Sequence, residues 1–149
     1  MITKLAIKYG MIIGIGVMAW VIVTHVLVPN LQSLIHSLGT VTFFNLLHFA
    51  GIFLGIRALE REKNAKPKFK EGLKQGVAIS FVYAVTASLF FVGVLLVIGP
   101  KWMAGEAATP DVPMWIVGLK AFAGLTVFTM ILGLIYSALI SFFLAKRLS

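Results

Sequence analysis

The sequence contains no cysteine and very little acidic charge. Among 149 residues there are 0 Cys, 3 His, and only 5 Asp and Glu together. The absence of cysteine excludes disulfide bonds, thiolate metal sites and cysteine nucleophiles. The acidic residues and histidines fall in no spacing typical of a catalytic centre or a metal site, and no glycine-rich phosphate-binding motif occurs. We therefore expect that the protein is not an enzyme.

Apolar surface is what the sequence has in excess. Hydrophobic residues make up 60% of the chain and charged residues 12%, and the mean hydropathy is +1.01. Soluble domains have about 45–50% apolar and about 25% charged residues. The excess lies in uncharged stretches of about 20 residues, the length that a helix needs to cross a bilayer and about twice that of a barrel strand. The sequence predicts one transmembrane domain over residues 1–149, with spans at about 9–28, 41–59, 77–98 and 121–144.

The positive charges predict how the four helices are oriented. The chain carries 13 Lys and Arg and a net charge of +8, and most of these cations lie before the first span, in or beside the loop 60–74, or after the fourth span. Cytoplasmic loops are enriched in Lys and Arg. We therefore expect an all-α, integral membrane four-helix bundle with both termini on the cytoplasmic side and no nucleic-acid partner. The similar residues 8–10 and 74–76 could mark two parallel-repeat helical hairpins.

Small residues mark the faces on which the helices are expected to pack. In lipid, contacts between helices are enriched in small residues and in a few polar side chains. The predicted packing residues recur at helical spacing and include a GxxxG pair in each of the first two spans: Gly10, Gly14, Gly51, Gly55, Ser80, Ala84, Gly133 and Ser137. The GxxxG pairs could equally bind another subunit, so internal packing and partner binding both stay open.

Three polar residues within the spans are candidates for a binding site. Asn45 and His48 lie deepest, in the second span, and His25 lies in the first span. Polar residues inside a membrane are functional candidates by default. They predict either hydrogen bonds between helices or, as the alternative, a haem, pigment or quinone site in the outer half of the bundle near His48 and His25. The sequence leaves the identity of any cofactor unknown and contains no metal-ligand cluster.

A basic segment follows the second span and would attract anionic lipid head groups. Its members are Arg57, Arg61, Lys63, Lys66, Lys68, Lys70 and Lys74. The rule that places positive charge in the cytoplasm would produce the same pattern without lipid binding. An acidic partner surface could also dock there.

Residues 31–38 have apolar side chains at positions i, i+3, i+4 and i+7, with polar residues opposite. This spacing is typical of an amphipathic helix. The segment either lies on the outer membrane surface or extends the second span upward, with a bend at Gly39 and Thr40. We expect the surface arrangement.

Residues 51–57 and 69–76, with the sequences GIFLGIR and FKEGLKQG, resemble an uncharacterised bacterial family of small four-span integral membrane proteins. The family shares this end of the second span and this beginning of the third. The resemblance implies a four-span fold and a multi-pass protein of the bacterial inner membrane. It supplies no catalytic residue.

These features favour a non-enzymatic accessory or assembly subunit that packs against a larger membrane complex. The chain is small, and its glycine-bearing faces and basic loop are suited to contacts with partners. We expect these partners to be membrane lipids and other membrane-protein subunits. The alternatives are the haem, pigment or quinone site and an oligomeric pore. The identity of the partner and the oligomeric state are left open.

Overall fold

A computed structural model describes residues 2–27, 34–98 and 113–146. Within these ranges the chain forms four α-helices and no strand: α1 (Lys4–Leu27), α2 (Leu34–Lys63), α3 (Phe69–Ile98) and α4 (Met114–Lys146). Each helix contains a segment long and apolar enough to cross a membrane. The predicted all-α four-helix membrane fold is confirmed, and the chain is a multi-pass membrane protein.

The helices extend past the predicted spans, α1 and α3 at the end that carries the cations and α2 and α4 at both ends. α2 continues to Lys63 and α3 begins at Phe69, so the expected loop 60–74 contracts to a turn of residues 64–68. Hydropathy locates only the apolar part of each helix, whereas exposed charged residues continue the helices beyond it. α4 has 33 residues and is about 50 Å long, which exceeds the ~30 Å hydrocarbon core.

The expected surface helix over residues 31–38 is wrong where the structure describes it. Residues 34–38 form the beginning of α2, which continues unbroken through Gly39 and Thr40; residues 31–33 lie outside the described part. The apolar spacing has the same period as the helix that follows, so it belongs to one longer helix. Gly39 meets no neighbouring atom within 4 Å of an added Cβ, and no bend is needed there.

The four helices are arranged with α2 and α3 in the middle. These two pack on each other and on both outer helices, α1 and α4, which do not pack on each other in the described residues. Gly10 and Gly14 of α1 lie against residues 82 and 86 of α3 in turn, so α1 and α3 are parallel. Gly10 thus faces α3, whereas Gly76, its counterpart in the suggested repeat, faces α4.

Small residues hold α3 and α4 together along an antiparallel line of contacts. Each contact sets a glycine against a serine of the other helix: Gly72 with Ser141, Gly76 with Ser137, and Ser80 with Gly133. The Ser80 hydroxyl donates to the Gly76 carbonyl at 3.0 Å, and the Ser137 hydroxyl donates to the Gly133 carbonyl at 2.5 Å. The hydroxyls of Ser80 and Ser137 thus bond within their own helices, which lets the two backbones approach closely. The buried Ser141 hydroxyl has no hydrogen-bond partner among the described residues.

A short turn connects α2 to α3. Asn64 follows α2 with a φ of 46°, the left-handed conformation that Asn adopts more readily than most residues. The Glu71 carboxylate accepts hydrogen bonds from the Lys68 amide at 3.1 Å and from Lys63 Nζ at 2.6 Å. The first bond caps the start of α3 and the second joins it to the end of α2.

One end of the bundle, which we call the basic end, is formed by the start of α1, the end of α2, the start of α3 and the end of α4. Thr3 donates to Gln75 Oε1 at 2.9 Å, which ties α1 to α3 there. Every described cation except Lys120 lies at or near this end, and all are exposed: Lys4, Lys8, Arg57, Arg61, Lys63, Lys66, Lys68, Lys70, Lys74 and Lys146.

Candidate functional site

His48 joins α2 to α3 at the middle of α2. Its side chain is 2% exposed, and its Nε2 atom lies 3.0 Å from Ser80 Oγ. The single hydroxyl proton of Ser80 is donated to the Gly76 carbonyl, so Nε2 carries the proton of the histidine and donates it to Ser80. His48 therefore forms a hydrogen bond between helices.

Tyr136 joins α4 to α2 beside this histidine. The Tyr136 hydroxyl donates to Asn45 Oδ1 at 2.6 Å, and Asn45 Nδ2 donates to the Val41 carbonyl at 2.8 Å. The Tyr136 ring stands edge-on to His48, with the ring centroids 5.5 Å apart, and edge-on to Phe49 at 5.6 Å. Tyr136 thus closes the seam between α2 and α4 near its middle.

Tyr83 of α3 completes the surroundings of the histidine ring. Its ring centroid lies 4.7 Å from that of His48, and its side chain is only 6% exposed. The imidazole is therefore held between aromatic rings from two different helices while its nitrogen bonds Ser80. This packing fixes the orientation of the ring.

A cavity of about 180 Å³ lies beside this polar cluster, and the described residues that line it come from α2, α3 and α4. Most of the lining is aliphatic or aromatic, and five side chains carry polar groups: Asn45, His48, Tyr83, Ser88 and Thr129. Ser88 Oγ accepts a hydrogen bond of 3.0 Å from the Thr126 hydroxyl, which leaves its own proton available for donation. The cavity combines an apolar wall with a few hydrogen-bonding groups, as ligand sites do.

The cavity reaches the surface of the bundle between α2 and α4. Val41 and Phe128 belong to its lining and are 57% and 63% exposed. Both side chains are apolar, so this surface is suited to contact with lipid tails. A molecule dissolved in the bilayer could therefore enter from the side.

The size of the cavity can be compared with the sizes of the ligands predicted from the sequence. A cavity of about 150 Å³ holds a benzene molecule, so about 180 Å³ suits one six-membered ring. A haem or a chlorophyll-type pigment has a macrocycle of four linked rings, which is larger than this volume, and binding of either stays a prediction. His48 Nε2 is already bonded to Ser80. A quinone head group has the right size.

His25 is not brought to this site by any described contact. The residue belongs to α1, but its side chain lies outside the described part of the chain. The predicted pairing of His25 with His48 thus stays a prediction. In the described residues no group of three or more His, Cys, Asp or Glu could hold a metal ion.

The eight predicted packing residues are all buried. Gly10 and Gly14 lie against α3, Gly51 lies against Ile13 of α1, and Gly55 lies against Tyr9 and Ile79. Ser80 and Ala84 belong to α3, and Gly133 and Ser137 lie on the face of α4 that contacts α3. Within the described chain these faces are thus occupied by neighbouring helices of the same molecule.

Several contact residues were not predicted from the sequence. Gly72 and Ser141 extend the line of small residues by one turn, and their spacing of four from Gly76 and Ser137 could have revealed them. The bond between Ser88 and Thr126 carried no comparable signal. Trp20 stacks on Phe43 with ring centroids 4.2 Å apart and donates to the Thr40 hydroxyl at 3.2 Å, which joins α1 to α2.

No family model, curated protein or solved structure matches the chain. The resemblance carried by residues 51–57 and 69–76 stays a prediction. The function is therefore argued from the geometry of the site.

Proposed function

We propose that the protein binds a small, mostly apolar molecule that enters the cavity from the bilayer, with one ring of the size of a quinone head group. The observation that carries this proposal is the cavity of about 180 Å³ between α2, α3 and α4, with its edge at the lipid-facing surface. The role is one of binding, without catalysis.

The polar groups of the cavity suit a ring that bears carbonyl oxygens. The hydroxyls of Ser88 and Thr129 on its wall can donate hydrogen bonds to such oxygens. The aromatic and aliphatic lining favours the ring itself over water. A tail attached to the ring could leave between Val41 and Phe128 and remain in the lipid.

The accessory-subunit and pore hypotheses stay predictions, because the described structure contains a single chain. The bacterial inner membrane stays a prediction as well. We keep it in the proposal because a protein that takes a ligand from the bilayer must reside where that ligand is dissolved.

The proposal predicts that filling the cavity abolishes binding. Ala87 lines the cavity and is 6% exposed, so Ala87→Phe places a phenyl ring in the space that the ligand needs. We expect a short-tailed benzoquinone with a photoreactive diazirine to label residues around the cavity in wild-type nanodiscs. In Ala87→Phe the labelling, mapped by mass spectrometry, should fall at least tenfold.

A matched variant separates cavity filling from a general effect of the added ring. Ala123 lies on the exposed face of α4 and outside the described lining of the cavity, so Ala123→Phe should label like the wild type.

Thr129→Val keeps the shape of the side chain and removes its hydroxyl, and we expect it to weaken labelling severalfold. Equal labelling of the wild type and Ala87→Phe would overturn the proposal.

The orientation proposed from the charges can be tested with single introduced cysteines, because the sequence contains 0 Cys and no other thiol would react. Ala65 and Pro113 are exposed at opposite ends of the bundle. We expect Ala65→Cys to resist a membrane-impermeant maleimide in intact cells and to react in inverted vesicles, and Pro113→Cys to behave in the opposite way. The reversed pattern would place the basic end outside.

A further inference from the structure

A second apolar space lies along the same seam, between Tyr136 and the basic end. This α2–α4 groove has a volume of about 270 Å³ and is lined by Phe49, Phe53, Ile140, Phe143 and Leu144. Phe49 and Phe143 are 41% and 64% exposed, so the groove is open to the lipid. Phe49 touches the edge of Tyr136, which separates the groove from the cavity.

On each of the two helices that form the groove, a cation lies just beyond the groove on the side of the basic end. Arg57 lies one turn beyond Phe53, and its guanidinium carbon is 5.9 Å from the centroid of the Phe53 ring. On α4, Lys146 Nζ lies 5.8 Å from the centroid of the Phe142 ring. Arg57 also pairs with Glu60 at 3.0 Å and its side chain stays 44% exposed. A guanidinium has five N–H donors and can bind a further anion beside this carboxylate.

The rise from Phe49, at the inner end of the groove, to Arg57, beyond its outer end, is comparable to the thickness of one leaflet of a bilayer. From Phe49 to Arg57 the helix rises about 12 Å, at about 1.5 Å per residue. Half of a ~30 Å hydrocarbon core is about 15 Å. An acyl chain in the groove would therefore place its phosphate near the depth of Arg57.

We infer that the α2–α4 groove binds one acyl chain of an anionic phospholipid, with the phosphate held at Arg57. Charge complementarity selects this occupant over a neutral lipid or an apolar helix, since the apolar groove leads directly to a cation at head-group depth. The site is distinct from the cavity and does not depend on the ligand proposed there.

Native mass spectrometry of the detergent-solubilised protein tests the inference, with phosphatidylglycerol and phosphatidylcholine of identical chains added in parallel. We expect the wild type to bind phosphatidylglycerol about fivefold more tightly, the preference that one cation near an anionic surface supplies. Arg57→Gln should lose this preference. Lys66→Gln removes the same charge from the exposed turn between α2 and α3 and should keep it.

A second pair of variants tests the groove itself. Phe143→Ala removes one wall and should weaken both lipids severalfold, whereas Phe81→Ala, which removes an exposed phenylalanine from α3, should leave both unchanged. The inference is overturned if the wild type shows no preference for phosphatidylglycerol. It is also overturned if Lys66→Gln loses the preference as fully as Arg57→Gln, because the attraction would then be diffuse. A protein dimer that forms in place of bound lipid would show that a second copy occupies the groove.

Discussion

The Gly76→Ala variant is expected to be less stable than the wild-type protein by about 1–3 kcal/mol, the range measured for overpacked interiors. A Cβ at this position would overlap Ser137 Oγ, lie 2.7 Å from Ser137 Cβ and 3.0 Å from Ile52 Cγ2. Neither α3 nor α4 can retreat without losing the neighbouring contacts at Gly72 and Gly133. The free energy of unfolding can be measured by titration with dodecyl sulfate, followed by tryptophan fluorescence and circular dichroism.

Two further variants make this result specific to the α3–α4 contact. Gly124 meets no atom within 4 Å of an added Cβ, so Gly124→Ala should unfold like the wild type. Ser137→Gly removes the atoms that the new methyl group would overlap, so Gly76→Ala with Ser137→Gly should recover most of the lost stability. If Gly76→Ala and Gly124→Ala were equally stable, the close approach of α3 and α4 would be contradicted.

The second large effect is expected at His48. His48→Ala removes the bond to Ser80 and the ring held between Tyr83 and Tyr136, and it enlarges the adjoining cavity. From the cost of truncating buried side chains we expect a loss of about 2–3 kcal/mol. His48→Phe keeps a ring but not the bond, and should lose about 0.6–1.7 kcal/mol, from the average to the largest value for one hydrogen bond between membrane helices.

Leu46 provides the control for the histidine variants. It lies on the opposite side of α2 and is 64% exposed, so Leu46→Ala changes only contacts with lipid and should leave the unfolding transition in place. The same titration in detergent measures all three variants. Equal stability of His48→Ala and Leu46→Ala would show that the polar cluster does not join the helices.

The number of helices and many of their contact faces could be predicted because both depend on local patterns. Hydropathy over about 20 residues identifies a span, and spacing of four identifies pairs such as Gly10 with Gly14. The ends of the helices could not be located in this way, since exposed residues such as Arg61 and Lys63 continue α2 in water. The beginning of α2 at residues 34–38 was likewise missed, because an apolar period of this kind does not show whether a segment is separate or continues the next helix.

The cavity could not be predicted, because it depends on how three helices are rotated relative to one another. His48 and Asn45 were recognisable as polar residues within a span, but their partners Ser80 and Tyr136 lie on other helices. No sequence separation indicates that Ser88 and Thr129 line the same space. Their common position results from the close α3–α4 contact and the looser seam between α2 and α4.

The most direct test of the central claim is the mass of the protein extracted from its native membrane and kept intact in mild detergent. The account predicts one small apolar molecule bound per chain, retained in Ala123→Phe and lost in Ala87→Phe. Lipids bound at the α2–α4 groove should be the same in both variants. A wild-type protein with no adduct beyond those that Ala87→Phe also carries would contradict a ligand in the cavity.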